Sequence, residues 1–348
     1  MAAAHISAET SKPACETDHD VDRLLHANHN PILDPAIAAF LKKGDTVRGV
    51  HKYGTSTWAE TMRLDVNGLD EKPRSYFLKT LCAENAAERV YGEFRAMSEI
   101  HDTMPSIAPK PRGYGECQNK KGTHFFLCDF LNITHGLPDP ERLGKTLAEL
   151  HLRSQSPGGQ FGFHCTTFDG EKPLNTTWDS SWTRFFTRLI NEVYKLEKAV
   201  NGHWQPLDDV MHITSNKLIP RLLDPLTANG RTIKPCLIHG DLWESNIGTD
   251  EDTNDIYIYD ACSYYAHHEK EVAIWRVAHH QMTDERYRRE YFKNYPPSEP
   301  LEEADDRNRL YSVETLLVNS LSFPGAKTRQ LAYEELKFLI EKYFPGTL

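Results

Sequence analysis

One loop of this sequence carries residues whose types and spacing could do chemistry. Residues 237–246 read LIHGDLWESN, which places the carboxylate of Asp241 five residues before the amide of Asn246. Phosphoryl transfer needs a base on the attacking hydroxyl and an oxygen ligand for magnesium close to that base. A later strand-like run, 256–259, ends in Asp260, which can supply a second hard oxygen ligand. The set predicts a catalytic base, Asp241, and two magnesium ligands, Asn246 and Asp260.

Part of this motif has a simpler interpretation. The tripeptide His239-Gly240-Asp241 by itself is equally compatible with a plain turn, because glycine and aspartate are common turn formers. Only the ordered set that includes Asn246 and Asp260 favours a metal-and-base site. We expect His239 to brace the loop rather than to take part in the chemistry.

A lysine and a glutamate upstream are candidates for binding a nucleotide. Lys79 lies in a strand-like run, where its ammonium group could contact the α- and β-phosphates of ATP; an ordinary surface lysine is the alternative. Glu93 lies on the following helical segment, at the border of its apolar face, where a carboxylate needs a cation. The sequence therefore predicts that Lys79 pairs with Glu93, and Glu88 is the second candidate partner.

Two further segments are candidates for nucleotide contacts. Gly54, Thr55 and Ser56 form a short loop whose backbone N–H and hydroxyl groups could cover phosphates, although its single glycine fits a plain hairpin turn nearly as well. Asp129 and Phe130 end the last predicted strand of the N-terminal region. They would form a hinge whose backbone meets adenine, and an ordinary linker is the alternative.

The elements that must position these residues fall into two regions. The periodicity up to residue 131 predicts three strands, one helix and two strands, and the periodicity beyond it is mainly helical. This order predicts an α+β protein with an antiparallel-sheet N-lobe (31–131), a helical C-lobe (132–348) and a disordered tail (1–30). The predicted strands are 46–53, 57–66, 75–81, 112–116, 123–130, 236–238 and 256–259. The predicted helices are 85–101, 141–154, 182–200, 208–228 and further helices from about 269 to the end.

Composition excludes several classes of protein. The 348 residues are 39% hydrophobic and 26% charged, as in ordinary soluble globular proteins. No stretch approaches the ~18 apolar residues of a membrane span, and no apolar signal core is present, which predicts a cytoplasmic protein without a membrane partner. The net charge of −10 gives no long-range attraction for nucleic acid. The seven cysteines include no C-x-x-C pair, which argues against disulfides and zinc, and the oligomeric state stays open.

With these residues in place, the sequence resembles the fructosamine kinase family, the ketosamine-3-kinases. The family signature is close to His-Gly-Asp-Leu-Trp-Ser-Gly-Asn, and residues 239–246 differ from it at Glu244 and Ser245. The resemblance covers about residues 45–343. Its other matching segments are 161–164 (FGFH), 178–186 (WDSSWTRFF) and 260–269 (DACSYYAHHE).

The resemblance implies a fold, cofactors and a substrate. The fold is the two-lobed protein-kinase-like fold shared with aminoglycoside phosphotransferases and choline kinases, and the cofactors are ATP and Mg²⁺. The substrate is a ketoamine formed by glycation of a lysine, free or in a protein, which is phosphorylated on its 3-hydroxyl and so deglycated. The resemblance implies substrate-binding roles for Trp243, Phe163 and His267. For Trp243, a core tryptophan is the alternative.

The sequence also departs from the family pattern. Ala261 replaces a proline, Ala266 replaces a glycine, and Glu244 adds a negative charge within the catalytic loop. None of these changes removes a catalytic group, but all surround the expected acceptor site. Two alternatives therefore stay open: a kinase of another small alcohol, such as an aminoglycoside or choline, and a pseudokinase that binds nucleotide without turnover.

Overall fold

The computed structural model describes residues 33–68 and 72–348. The predicted tail, 1–30, lies outside the described residues. The described chain divides into two units. The first comprises the residues up to Val90 together with Arg112–Leu127, and the second comprises Tyr91–Pro111 and Cys128–Leu348.

A five-stranded sheet forms the first unit, and its order is β1-β2-β3-β5-β4. Its strands are β1 (Thr46–Lys52), β2 (Glu60–Asn67), β3 (Pro73–Cys82), β4 (Pro111–Glu116) and β5 (Thr123–Asp129). β2 pairs antiparallel with β1 and with β3, which confirms the predicted antiparallel meander. Only the start of the second strand differs appreciably, since it lies at Glu60 instead of residue 57.

The core of this unit follows from period-two alternation. Met62, Leu64 and Val66 alternate along β2 and are all buried, as expected for one face of a half-buried strand. They pack in one cluster with Tyr76 and Phe125 from the neighbouring strands. The short helix α1 (Pro35–Ala38) adds Ile37 to the same cluster. The sheet that carries Lys79 in β3 therefore rests on a continuous apolar layer.

The main helix of the N-terminal region, α2 (Ala86–Thr103), agrees with the predicted helix 85–101. Val90, Met97 and Ile100 are buried along it at helical spacing. The predicted order of three strands, a helix and two strands is therefore confirmed.

The second unit is mainly helical. Its helices are α3 (Pro140–Arg153), α4 (Trp182–Asn201), α5 (Gln205–Ile213), α6 (Ile219–Leu223), α7 (Glu285–Asn294), α8 (Ala304–Ser322) and α9 (Thr328–Tyr343). The stretch predicted as a helix over 208–228 is helical without interruption up to Thr227, but its helix type changes along the way. A π-helical turn (Thr214–Leu218) follows α5, and a 3-10 turn (Asp224–Thr227) follows α6. Pro220 and Pro225 lie in this stretch, and a proline cannot donate the backbone hydrogen bond that an uninterrupted α-helix needs.

Aromatic side chains pack the predicted apolar stripe of α4 against α8. Trp182, Phe185 and Phe186 are buried, and the Trp182 indole N–H donates to the Tyr311 hydroxyl at 2.7 Å. α3 and α7 approach each other closely at Gly144, where an added Cβ would lie 2.6 Å from the backbone of Glu290. None of the described helices has both the length and the apolar character for a bilayer crossing.

Short strands hold the functional loops of the second unit. They are β6 (Ile133–Thr134), β7 (Thr167–Asp169), β8 (Lys172–Leu174), β9 (Cys236–Ile238), β10 (Ile247–Asp250), β11 (Ile256–Ile258) and β12 (Tyr264–Ala266). β9 pairs with β12, β10 lies between β11 and β6, and β7 pairs with β8. After β12 the chain forms a 3-10 helix, His268–Arg276, where the sequence predicted the return of α-helix.

Candidate functional site

The loop of residues 239–246, called the catalytic loop after its predicted role, connects β9 to β10. It brings the predicted base Asp241 and the predicted ligand Asn246 together. The Asn246 side-chain amide donates from Nδ2 to the backbone oxygen of Asp241 at 2.8 Å and to its carboxylate Oδ2 at 3.0 Å. A 3-10 turn, Glu244–Asn246, makes this return possible within five residues. Asp241 is half-buried and Asn246 is buried, so the pair is held at the edge of the interior.

Asp260 lies on the segment that follows β11, and backbone contacts tie this segment to the catalytic loop. The N–H of Tyr259 donates to the backbone oxygen of Asn246 at 3.1 Å, and His239 Nε2 contacts the backbone oxygen of Tyr259 at 2.9 Å. Asp260 is exposed and has a φ of 62°, a left-handed conformation that costs a non-glycine residue of order 1 kcal/mol or more. Such strain is typical of residues placed for function.

Glycine is required at the centre of the loop. Gly240 has a φ of 91°, and an added Cβ would lie 2.8 Å from both the backbone oxygen and the sulfur of Cys262. The Cys262 N–H also donates to the backbone oxygen of His239 at 3.0 Å. The loop therefore rests directly on the backbone that follows Asp260, which fixes the separation of the two segments.

A buried carboxylate that the sequence analysis missed supports the loop from below. Glu271 accepts hydrogen bonds from the backbone N–H of His239 at 2.5 Å and of Gly240 at 3.1 Å. Burial raises the pKa of Glu271, but the contacts with His151 and with the His239 N–H outweigh it and leave the pKa below its usual value. In the sequence, Glu271 could have been noticed as an acidic residue at the start of the apolar run 271–275 (EVAIW). Nothing near it in the sequence indicates which groups it contacts.

His239 has the bracing position that we expected. A backbone oxygen can only accept, so His239 donates its Nε2 proton to Tyr259, and its Nδ1 accepts from the Asp241 N–H at 3.3 Å. Burial lowers the pKa of His239. Both nitrogens of the neutral ring are engaged by backbone groups. Neither is therefore available to exchange a proton with a substrate.

Negative charge accumulates around the predicted base. Its half-buried position and the nearby carboxylates of Asp169 and Asp260 raise the pKa of Asp241 well above the usual value. Burial, with the charge of Glu314, raises the pKa of Asp169 to about 7. Asp169 ends β7, and the sequence analysis missed it because Asp-Gly is also an ordinary hairpin turn.

These residues fit a magnesium ion. Both hydrogen bonds of the Asn246 amide use Nδ2, and within the described residues Oδ1 accepts none, so this oxygen can face a cation. Asp260 could contribute the second oxygen ligand, since amide and carboxylate oxygens are the ligands that Mg²⁺ prefers. Burial is the largest cause of the raised pKa of Asp241, and the charges of Asp169 and Asp260 add to it; a divalent cation would offset these charges.

Trp243 lies on the same loop, two residues after Asp241, and its N–H donates to the backbone oxygen of Asp241 at 3.2 Å. Trp243 is only partly buried, and its ring lies 5.5 Å from the ring of His280. The backbone is fixed here by Trp275, whose indole N–H donates to the backbone oxygen of Leu242 at 2.8 Å. Trp275 is the fully buried tryptophan of this region, whereas Trp243 keeps an exposed face that a ligand can contact.

The other two residues that the resemblance linked to the acceptor lie in the interior. Phe163 and His267 are buried, and both ring nitrogens of His267 are engaged, by the hydroxyls of Tyr311 at 3.0 Å and Ser298 at 2.9 Å. This favours structural roles. His267, His268 and Glu269 also have the spacing of a metal cluster. Glu269, however, binds Arg307 through both oxygens at 2.8 Å, so an ion pair already occupies this carboxylate.

A chain of buried polar side chains connects the aromatic core to the catalytic loop. It runs through Trp182, Tyr311, His267, Ser298, His268, Tyr291, His151 and Glu271. The hydrogen bonds along it measure 2.7, 3.0, 2.9, 3.5, 3.0 and 2.8 Å, and the last contact, from His151 Nε2 to Glu271 Oε2, measures 3.4 Å. The loop is thus supported by side chains from α3, α4, α7, α8 and the 3-10 helix His268–Arg276.

The predicted phosphate-binding residues lie in the first unit. Lys79 is 8% exposed in β3, where it is paired in register with Thr61. Gly54 has a φ of 73° and begins, with Thr55 and Ser56, an exposed loop between β1 and β2. The Ser56 hydroxyl accepts from the N–H of Trp58 at 3.3 Å. These positions are compatible with a phosphate-covering loop, which stays a prediction.

The remaining predicted nucleotide contacts belong to the second unit. Glu93 is half-buried on α2, and its pairing with Lys79 stays a prediction. The backbone N–H of Asp129 donates to the backbone oxygen of Lys110 at 3.0 Å, and both Asp129 and Phe130 are half-buried. The hinge role predicted for these two residues likewise stays a prediction.

Comparison with known proteins decides the family. The sequence profile of the fructosamine kinase family matches residues 41–342. The chain belongs to the fructosamine kinase family. Among relatives, protein-ribulosamine 3-kinase of Arabidopsis thaliana is 29% identical over 239 residues, which is 68% of each chain. Ketosamine-3-kinase of Mus musculus is 26% identical over 221 residues, which cover 57% of this chain and 68% of the mouse protein.

Solved structures show the fold of the family. A candidate fructosamine-3-kinase from Thermobifida fusca superposes with a TM-score of 0.68 at 20% identity, over 89% of this chain and 99% of that one. An aminoglycoside phosphotransferase in complex with AMP-PNP and hygromycin B gives a TM-score of 0.57 at 15% identity, over 89% and 99%. The predicted α+β, protein-kinase-like fold is therefore confirmed.

Proposed function

We propose that this member of the fructosamine kinase family transfers the γ-phosphoryl group of ATP to the 3-hydroxyl of a ketosamine. The acceptor is a fructosamine or ribulosamine on a glycated lysine, free or in a protein. The observation that carries the proposal is the hydrogen bond between Asn246 and the carboxylate of Asp241, which puts a base and an oxygen ligand side by side. The same proposal gives the reaction a deglycating role and a cytoplasmic location.

Asp241 is the catalytic base of the proposed reaction. Asn246 holds one carboxylate oxygen, so the other can accept the proton of the acceptor hydroxyl as it attacks the phosphorus. Burial and the charges of Asp169 and Asp260 raise the pKa of Asp241, which makes it a stronger base than an exposed aspartate. Proton removal is therefore helped by the same charges that surround the loop.

Magnesium and the nucleotide would be held by separate groups. Asn246 and Asp260 would hold Mg²⁺, which would supply positive charge for the transferred phosphoryl group. Lys79, oriented by Glu93, would contact the phosphates from β3. The loop Gly54, Thr55 and Ser56 would cover these phosphates, and the backbone of Asp129 and Phe130 would meet the adenine.

A panel of acceptors tests the proposal. Fructosyl-lysine, ribulosyl-lysine, an aminoglycoside and choline are each supplied with ATP and magnesium, and phosphate transfer is measured together with the position of the new phosphate. We expect transfer to the 3-hydroxyl of a ketosamine, lost in Asp241→Asn. Brisk transfer to an unrelated alcohol, with none to either ketosamine, would reassign the acceptor. ATP binding without transfer to any alcohol would indicate a pseudokinase.

A further inference from the structure

Glu244 occupies an unusual place for a charged residue. It lies in the catalytic loop, where the family signature has serine, and it is only 9% exposed. Its Oε2 atom is inaccessible to solvent and has no hydrogen-bond partner among the described residues. A buried acceptor without a partner costs about 1–3 kcal/mol, and more when it is charged. A group that donates to this oxygen would remove that cost.

His280 presents a second unsatisfied atom next to the first. Its Nδ1 lies 4.0 Å from Glu244 Oε2, beyond hydrogen-bond length, and its Nε2 has no partner within residues 33–68 and 72–348. Burial, together with the neighbouring His279, lowers the pKa of His280 to about 4. The ring is therefore neutral near pH 7, so it does not neutralise the Glu244 carboxylate as a histidinium would.

Trp243 completes the arrangement with an aromatic face. The rings of Trp243 and His280 lie 5.5 Å apart, and Trp243 directly precedes Glu244 in the chain. A carboxylate oxygen, an imidazole lone pair and an indole face all attract the same kind of ligand, a cation with N–H donors. An anion would be repelled by Glu244, and a neutral alcohol would leave its charge uncompensated.

We propose that Glu244 and His280, beside Trp243, form a subsite that binds the protonated amine of the phosphoryl acceptor. The subsite rests on the proposed function, because the nitrogen of a ketosamine lies on carbon 1 and the reacting hydroxyl on carbon 3. Glu244 follows Asp241 by three residues on the same loop, so one loop serves both ends of this short N–C–C–C–O unit. Because the two unsatisfied atoms are buried, a neighbouring side chain must move to admit the amine.

The discriminating ligands differ at one atom, in its charge and its N–H donors. One is a 1-deoxy-1-(butylamino)fructose, which carries a protonated secondary amine at pH 7, and the other is 1-O-butyl fructose, in which an ether oxygen replaces the amine. Binding is measured by calorimetry without nucleotide or magnesium, so that turnover does not contribute. The protein variants are wild type, Glu244→Gln, His280→Phe and the control Glu251→Gln. Glu251 is exposed on the β10–β11 turn, where it accepts from Asn132 at 3.2 Å.

We expect wild-type protein to prefer the amine to the ether by about 10- to 100-fold, the usual worth of a hydrogen bond to a charged group. Glu244→Gln removes most of this preference by weakening only amine binding, and His280→Phe reduces it in the same direction. Glu251→Gln removes an equal charge and leaves the preference unchanged. Thermal melting of each variant shows whether it is folded. If Glu244→Gln is not folded, the His280→Phe variant still provides the test.

The subsite and the proposed function fail separately. A wild-type protein without preference for the amine overturns the subsite, and so does a Glu244→Gln variant that loses affinity for amine and ether equally. Phosphate transfer to a ketosamine without any preference for the amine overturns the subsite alone. A clear preference in binding, with no phosphate transfer to any ketosamine, overturns the proposed function alone.

Discussion

Replacing Glu271 by glutamine tests whether a buried carboxylate positions the catalytic loop. Glu271 is 2% exposed and accepts the N–H groups of both His239 and Gly240. Glutamine has one acceptor oxygen, so one of these N–H groups loses its partner and faces an NH₂ group instead. A buried donor without a partner costs about 1–3 kcal/mol, which is the expected loss in the free energy of unfolding.

The effect on turnover has a different physical origin. Asp241 directly follows the two N–H groups that Glu271 holds, so a displaced loop moves the base. A misplacement of about 1 Å can cost roughly 10²-fold in rate, so we expect kcat to fall by about 10- to 100-fold in Glu271→Gln. The KM for ATP should change little, because Glu271 contacts neither of the predicted magnesium ligands.

A matched control separates positioning from stability. Glu197 is also fully buried, accepts from the Ser320 hydroxyl at 2.9 Å and pairs with Arg329 at 2.9 Å, away from the catalytic loop. Glu197→Gln should lose comparable stability in urea unfolding and keep the kcat of wild type at a temperature where both variants are folded. Equal effects of the two substitutions on kcat, or a folded Glu271→Gln variant with wild-type kcat, would refute the positioning role.

Four further expectations follow from the site and the core. Asp241→Asn keeps the shape but loses the base, so kcat should fall by about 10²–10⁴ while ATP affinity, measured by calorimetry, holds. Asp260→Ala should abolish magnesium-dependent turnover in a magnesium titration and leave the circular dichroism spectrum intact; a variant with most of its rate would contradict the ligand role. Lys79→Met should lower kcat more than it weakens nucleotide binding, since a misplaced phosphate costs alignment. Burial lowers the pKa of His267 and His268 well below the usual ~6.5, so the unfolded state binds protons first; the contribution of these two histidines to the melting temperature should be constant above that pH and fall below it.

The sequence predicted those parts of the fold that depend on local pattern. Alternation of Met62, Leu64 and Val66 identified β2, and the apolar stripe beginning at Trp182 identified α4. The proximity of Asp241 and Asn246 was also predictable, because both residues lie on one short loop whose length alone brings them together. The changes of helix type within 208–228 were not predicted, although Pro220 and Pro225 were visible in the sequence.

The missed residues depend on contacts that are distant in sequence. Glu271 reaches His239 across 32 positions, and the influence of Asp169 on Asp241 depends on a two-stranded hairpin too short for periodicity to reveal. β12 was missed for the same reason, because three residues give no readable alternation. A single sequence shows which residue types are present, but not which distant backbone groups they will satisfy.

The buried chain from Trp182 to Glu271 has a direction. An indole N–H can only donate a hydrogen bond, and an ionised carboxylate can only accept one. Each hydroxyl carries one proton, and burial lowers the pKa of His267 and His268, so that each of these rings carries one proton when neutral. One arrangement therefore satisfies every hydrogen bond from Trp182 to His151, with each group donating towards His151 and accepting from the side of Trp182.

This order fixes the tautomers of His267 and His268. His267 carries its proton on Nε2, His268 carries it on Nδ1, and His151 accepts at Nδ1 from the Tyr291 hydroxyl. A substitution that cannot both donate and accept a hydrogen bond interrupts this order for every later group. A polar change near Trp182 therefore alters the hydrogen bonds as far as His151, whose Nε2 lies 3.4 Å from the Glu271 carboxylate that holds the loop N–H groups.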